Sequence, residues 1–176
     1  MELQFPYNIV DTIAQRVQEW NPTPPPGEPY VPDEEHVEVF RRPLRQGDPR
    51  LAVGVYASSW APNEQSYESG GATLGGYRHE PTLNQYTVTV QSLVLDHDEM
   101  RGLARSSVVA KRLRDTLLRD PVLGVRLTQL SVTDENGLTE RSQRRWIRTQ
   151  RFISTEVQGS FTYLAALELT IETETV

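Results

Sequence analysis

The sequence contains no cysteine, and its cations are almost entirely arginine: one lysine, Lys111, stands beside 17 arginines. Without cysteine, disulfide bonds, thiolate catalysis and cysteine-ligated zinc sites are excluded. No apolar run approaches the roughly 20 residues that a helix needs to cross a bilayer. The first residues, MELQFPYNIVDTIAQ, lack a basic stretch followed by an apolar one, so we expect no secretory signal there.

Signatures of catalysis and of ligand binding are lacking as well. His36, His79 and His97 do not have the spacing of metal ligands, and GGATLGG lacks the Lys-Ser/Thr pair of a phosphate-binding loop. The tetrad DHDE, which begins at Asp96, is typical of a helix start with Asp96 as the cap, where acidic residues suit the helix dipole. We therefore expect no enzymatic activity, no cofactor and no metal.

The length and charge of the chain favour one domain over 1–176, with a net charge of −6 that argues against a general nucleic-acid binder. A first helix is predicted over 7–20, with Asn8 as its cap. Four apolar residues recur there at helical spacing: Ile9, Ile13, Val17 and Trp20. The next stretch, 21–32, is rich in proline, which predicts a stiff, extended spacer.

Beyond the spacer, the pattern alternates between strands and one long helix. HVEVFRRPL and LAVGVYA are predicted as two strands that form a hairpin around RQGDPR. A long mobile loop is predicted over 58–81, which has four glycines and no periodicity. TLNQYTVTVQSLVL is predicted as a strand, a helix follows over 97–119, and VLGVRLTQLSVT is predicted as another strand. The last strands are predicted over 141–174, with a tight turn at Gly159.

This order of elements predicts an α+β fold: a mostly antiparallel sheet of about 5–6 strands with two helices packed on one face. On the helix over 97–119, one stripe is predicted to be buried: Leu103, Ser106, Ala110, Leu113 and Leu117. Four arginines lie on the opposite side of the same helix, which predicts an exposed basic row: Arg101, Arg105, Arg112 and Arg119.

The C-terminal third begins strongly basic and ends acidic. Five arginines fall within the eleven residues of 141–151, and three glutamates close the stretch: Glu168, Glu172 and Glu174. The arginines, with Trp146 and Phe152 between them, could bind a single-stranded nucleic acid by charge and stacking. They could instead protect an exposed strand from aggregation, or form an interface with a protein. The last interpretation explains both signs of charge.

The whole layout resembles the tail terminator proteins of long-tailed phages with non-contractile tails, especially those of actinobacterial hosts. The resemblance is carried by the order of elements and by RRWIRTQRFISTEV and YLAALELTIETE in the C-terminal third. It implies a structural virion protein that forms a hexameric ring at the head-proximal end of the tail, after assembly in the host cytoplasm. Such a ring ends polymerisation of the tail tube and offers a docking face to the head–tail connector proteins. DNA passes through its lumen without specific binding, and no membrane is involved.

If the chain forms such a ring, basic and acidic patches would meet head to tail on neighbouring copies. The expected basic residues are Arg101, Arg105, Arg112, Arg141, Arg144, Arg145 and Arg148, and the expected acidic ones are Glu168, Glu172 and Glu174. In the 58–81 loop, Trp60, Tyr67 and Tyr77 are expected to contact the tube or the connector. Two alternatives remain open: another connector or tail-completion protein, and a small nucleic-acid-binding protein.

Overall fold

The computed structural model describes residues 5–19, 37–62, 82–133, 135, 137, 139–157 and 159–175. The elements in chain order are α1 (Tyr7–Gln18), β1 (Glu38–Phe40), β2 (Leu51–Pro62), β3 (Thr82–Asp96), α2 (Glu99–Arg119), α3 (Pro121–Thr128), β4 (Ser131–Thr133), β5 (Thr139–Val157) and β6 (Ser160–Thr175). Within these residues the strands form one sheet in the order β1-β2-β3-β6-β5-β4. The predicted α+β class with a mostly antiparallel sheet is confirmed, with a third helix in addition. The proline-rich spacer, 21–32, lies outside the described residues.

The core lies between one face of the sheet and the helices. At its centre β3 and β6 run antiparallel, so that the buried Val88 and Val90 stand opposite Leu169 and Leu167. Helical residues join the same cluster: Ile9, Ile13, Val17, Val109, Leu113, Leu117, Leu123 and Leu127. Because alternate residues of a strand point to one face, the apolar alternation predicted for β3 and β6 places one whole row of each strand in this core. Each buried side chain of this size contributes roughly 1.5–3 kcal/mol.

The predicted hairpin between the first two strands is wrong, because β1 pairs with β2 in parallel, with Val39 opposite Val53. The connection over 41–50 has to return along the sheet before β2 begins. It is held by Arg42, whose guanidinium donates to both carboxylate oxygens of Asp48 at 2.7 and 3.0 Å. This pair, together with the Arg45 N–H, lowers the pKa of Asp48 to about 2. The sequence RQGDPR therefore forms a closed turn inside a crossover and not a hairpin.

Gly54 allows this crossover to lie close against β2. A Cβ atom at position 54 would lie 2.7 Å from the carbonyl oxygen of Arg42 and 3.0 Å from Cγ of Leu44. The Leu44 N–H also donates to Oε1 of Gln91 on β3 at 3.1 Å, which ties the connection to the sheet. The crossover and the sheet thus pack too closely for any side chain at this position.

We predict that Gly54→Ala lowers the free energy of unfolding by about 1–3 kcal/mol, because the added methyl group meets backbone that cannot shift freely. Urea denaturation followed by circular dichroism measures the change. Ser59→Ala is the matched control: it alters an exposed residue of the same strand and should stay within about 0.5 kcal/mol of the parent chain. A Gly54→Ala variant as stable as the parent would contradict the close packing.

The segment predicted as the strand VLGVRLTQLSVT is mostly a helix, α3, followed by the three-residue β4. Asp120 caps α3 by accepting a hydrogen bond from the Leu123 N–H at 2.9 Å, and Pro121 occupies the first turn, where proline is tolerated. Leu123 and Leu127, four residues apart, are both buried in the core. A helix forms here because the Asp-Pro start and the buried apolar pair four residues apart stabilise it more than the short alternation of apolar residues stabilises a strand.

Asp120 also links α3 to α1. Arg16 of α1 donates to Oδ2 of Asp120 through Nε at 3.0 Å and through a terminal guanidinium nitrogen at 2.7 Å. Nearby, Arg126 of α3 pairs with Glu19 at 2.8 Å. Burial tends to raise the pKa of Asp120, but the hydrogen bonds from Arg16 and from the Leu123 N–H bring it below its ordinary value. One carboxylate therefore serves as both helix cap and ion-pair partner.

We predict that Asp120→Ala costs about 1–2 kcal/mol of stability at neutral pH, the usual loss for a helix cap. Asp120→Asn should cost less, because asparagine also caps helices. Since the folded pKa of Asp120 is depressed, its stabilisation is present above the ordinary pKa and is lost as the pH falls through the folded value. Urea denaturation at neutral pH and at about pH 3 should therefore show the gap to the parent narrowing. A gap that stays constant would contradict the role of the ionised carboxylate; Asp115→Ala on α2 is the control.

Candidate assembly surface

Asp96, the last residue of β3, is the centre of a buried charge cluster. Arg105 donates to its Oδ2 at 2.8 Å, and Arg101 donates to both of its oxygens at 2.6–3.1 Å. The side chain of Asp96 is 1% exposed, that of Arg105 is 6% exposed and that of Arg101 is 60% exposed. The hydrogen bonds from Arg101 are the main reason why the pKa of Asp96 is lowered, against the effect of burial. The cluster fixes the N-terminal end of α2 to the end of β3.

This cluster corrects two predictions. Asp98, and not Asp96, caps α2, by accepting a hydrogen bond from the Arg101 N–H at 2.9 Å. The prediction that Arg105 faces a neighbouring copy is wrong, because Arg105 is buried against Asp96 of its own chain.

The predicted helix cap at Asn8 is also wrong. The capping position of α1 is Pro6, which makes no side-chain hydrogen bond to the helix.

The arginines of α2 do not form one exposed row. Arg101 is exposed, Arg105 is buried and Arg112 is half-buried. Burial, and then the nearby charge of Arg16, lower the pKa of Arg112. The predicted apolar stripe is buried except at Leu103, which is 41% exposed. The buried face of α2 is wider than the predicted stripe. It includes the cation Arg105, because its partner Asp96 lies beneath the helix.

The register of β5 and β6 places the basic and acidic ends of the C-terminal third opposite each other within one chain. Arg141 is the cross-strand partner of Glu174, and Arg144 is the partner of Glu172. Opposite charges at such positions contribute roughly 0.2–1 kcal/mol per pair. The register therefore places these residues opposite each other within a single hairpin, and their contact between neighbouring copies stays a prediction. The tight turn is confirmed at Gly159, whose φ of +74° suits glycine.

The remaining residues of the predicted patch lie further along the same pair of strands. Arg145 is opposite Ile171, and Glu168 is opposite Thr149. Arg148 lies at a register shift between Ile147 and Thr149, and a second shift lies between Ser142 and Arg144. Whether Arg145, Arg148 and Glu168 contact a neighbouring copy stays a prediction.

The outer edge of β5 is long, and over most of its length it has no partner strand among the described residues. The three-residue β4 pairs only with Thr139 to Arg141, and the Ser142 N–H donates to the Leu130 carbonyl at 3.3 Å. Over 143–157 no described strand pairs with this edge, which corresponds to about 50 Å of extended backbone. Ile153 on this strand is 55% exposed. Such an edge is a template for pairing with another chain.

A cleft of about 220 Å³ lies beside the β5–β6 turn, where α2 begins. We name it the acidic cleft; its lining residues are Glu99, Leu103, Thr155, Glu156, Phe161 and Tyr163. Tyr163 reaches α2 through its hydroxyl, which donates to the Glu99 carbonyl at 2.9 Å. Gly102 makes this approach possible, because a Cβ there would lie 2.6 Å from Cε2 of Tyr163. Apolar side chains and two exposed carboxylates thus surround one small space.

The acidic cleft could not be predicted from the sequence. Glu99 is readily interpreted as part of a helix start, and Phe161 and Tyr163 as members of an apolar strand face. Only the packing of α2 on β6 brings them together, and Gly102 is the one signal in the sequence that marks a close contact on α2. Among the described residues, no group of three or more acidic or histidine side chains is placed to hold a metal ion. No helix in the described part of the chain is long and apolar enough to span a membrane.

The structure describes one of the three aromatic residues that are predicted to contact the tube or the connector. Trp60 belongs to β2, opposite Tyr86 of β3, so the strand extends into the segment that was predicted as a loop from residue 58. Tyr67 and Tyr77 lie outside the described residues. The contact of these three aromatics with a tube or connector protein stays a prediction.

We predict that Asp96→Asn lowers the free energy of unfolding by about 3–5 kcal/mol, because it removes the carboxylate that pairs with the buried guanidinium of Arg105. Arg101→Met should cost much less, since that partner is mostly exposed to solvent. Urea denaturation of both variants measures the difference. Equal losses would show that the buried pair with Arg105 does not hold α2 to β3.

A scan against protein-family models finds no match for this chain, and a search of curated proteins finds none either.

Proposed function

We propose that this chain is a structural virion assembly protein, a tail terminator that forms a hexameric ring on the tail tube. In this role it ends tube polymerisation and provides the docking face for the head–tail connector. The observation that carries the proposal is the outer edge of β5, free of a described partner strand over 143–157 and rich in arginine.

The edge of β5 supplies a means of capping. A strand edge binds an extended segment of another protein through main-chain hydrogen bonds, and its side chains give the selectivity. We assign this kind of strand pairing to the contact between the terminator ring and the last ring of tube subunits. The two register shifts in β5 and its arginines limit pairing with unintended strands. A subunit bound in this way covers the end of the tube to which another tube subunit would add.

The hairpin register weighs against nucleic acid as the main partner. Arg141 and Arg144 stand opposite Glu174 and Glu172, so the basic end of this hairpin also carries acidic residues. A nucleic-acid-binding face would instead have a net positive field. In the proposed ring, DNA passes through the lumen without specific contacts.

We predict that deletion of the gene in the phage yields tails of excessive or variable length together with separate, filled heads, because nothing then stops tube growth. Electron microscopy of the lysate measures tail length and counts free heads. Tails of normal length beside free heads would contradict termination and favour a connector protein. Complete, infectious particles would contradict both roles.

We also predict that Ile153→Lys blocks attachment of the purified protein to tail tubes without unfolding it. Ile153 is exposed on the outer edge of β5, so a charge there opposes strand pairing while costing at most about 0.5 kcal/mol of stability. Tyr7→Lys is the matched control, because Tyr7 is a comparably exposed apolar residue on α1. Co-sedimentation with tubes measures attachment. If Ile153→Lys binds as well as Tyr7→Lys, the edge of β5 is not the tube contact.

A further inference from the structure

The acidic cleft has the size and chemistry of a seat for one cationic side chain. Its volume, about 220 Å³, is below the roughly 300–1,000 Å³ that is usual for small-molecule pockets. Glu99 and Glu156 are exposed at the cleft, and Leu103, Phe161 and Tyr163 provide apolar surface. An arginine fits such a site well, because its guanidinium pairs with carboxylates while its methylene stem packs on apolar groups.

The opposite end of α2 carries the complementary features. Arg119 ends the helix and is exposed, and Arg114 is 45% exposed beside Asp115. Three exposed apolar residues lie on the same helix end and on α3, which follows directly: Leu118 at 42%, Val122 at 42% and Val125 at 54%. We name these five residues, Arg114, Leu118, Arg119, Val122 and Val125, the basic knob.

The acidic cleft and the basic knob cannot meet within one chain. They lie at the two ends of α2, whose 21 residues span about 30 Å. Glu99 and Arg119 at these ends also suit the helix dipole, but the dipole gives no reason for apolar side chains to stay exposed at both places. Exposed apolar groups surrounded by complementary charges indicate a surface that another protein covers.

We propose that the occupant of the acidic cleft is the basic knob of a second copy of this chain, with Arg119 of that copy seated between Glu99 and Glu156. The contact is heterologous, because two different patches meet, and repeated contacts of this kind generate a ring when the rotation between copies closes. The proposal rests on the ring in the proposed function. It involves other residues than the arginine–glutamate contacts predicted for the C-terminal third.

The absence of cysteine from the chain allows a direct test by site-specific cross-linking. Leu103→Cys places a thiol in the acidic cleft, and Val122→Cys places one on the basic knob. When the two variants are mixed at high protein concentration and oxidised, we expect mixed disulfide dimers. Neither variant alone should form dimers, because like patches do not meet. Tyr7→Cys mixed with either variant is the matched control and should stay monomeric.

Charge reversal makes the test specific. Glu156→Arg in the Leu103→Cys chain should lower the yield of mixed dimer at least about tenfold, because it faces Arg119 with a like charge. Arg119→Glu in the Val122→Cys chain, mixed with that Glu156→Arg chain, should restore the yield. Dimers of Leu103→Cys alone, cross-linking of Tyr7→Cys to the same extent, or a yield that charge reversal leaves unchanged would each overturn the contact.

The test also separates this contact from the proposed function. If cross-linking fails while the gene deletion gives overlong tails, the chain is a terminator whose copies meet by another surface. If cross-linking succeeds while the deletion leaves tail length normal, the head-to-tail contact stands and the role in termination falls.

Discussion

The antiparallel register between β5 and β6 is the constraint on which the arrangement of charges depends. It sets Arg141 opposite Glu174 and Arg144 opposite Glu172, so the two charged ends of the C-terminal third lie side by side in one hairpin. The same pairing uses the inner edge of β5 and leaves the outer edge over 143–157 without a partner strand among the described residues. A one-residue slip would move every side chain of β5 to the other face.

The spacing of apolar residues along the chain predicts the strands and helices whose burial depends on that spacing. The alternation in β3 and β6 correctly placed Val88, Val90, Leu167 and Leu169 on one buried face, and α1 and α2 followed their apolar stripes. The parallel pairing of β1 could not be predicted in this way, because it depends on the packing of the crossover against Gly54. α3 could be predicted from Asp120-Pro121, which is a typical helix start. The short alternation of apolar residues that follows instead favours a strand.

The candidate surface was harder to predict than the fold, because it consists of contacts between distant residues. Arginine at positions 101, 105 and 112 has helical spacing that predicts one exposed row, yet Asp96 lies under the helix and draws Arg105 into the interior. The acidic cleft joins residues of α2, β5 and β6 that no spacing connects. In the C-terminal third, the residue opposite each charge depends on strand register, which the sequence pattern alone does not give.

Together, these features describe a subunit with one long strand edge and two complementary ends, which suits assembly into a closed ring on a filament. A cryo-electron microscopy reconstruction of the head-proximal end of the tail tests this account most directly. The account predicts six copies in a ring, with the 143–157 edge of β5 against the tube and Arg119 of each copy in the acidic cleft of the next. A reconstruction in which that edge and that cleft both face solvent, or in which the chain is absent from the tail, would contradict it.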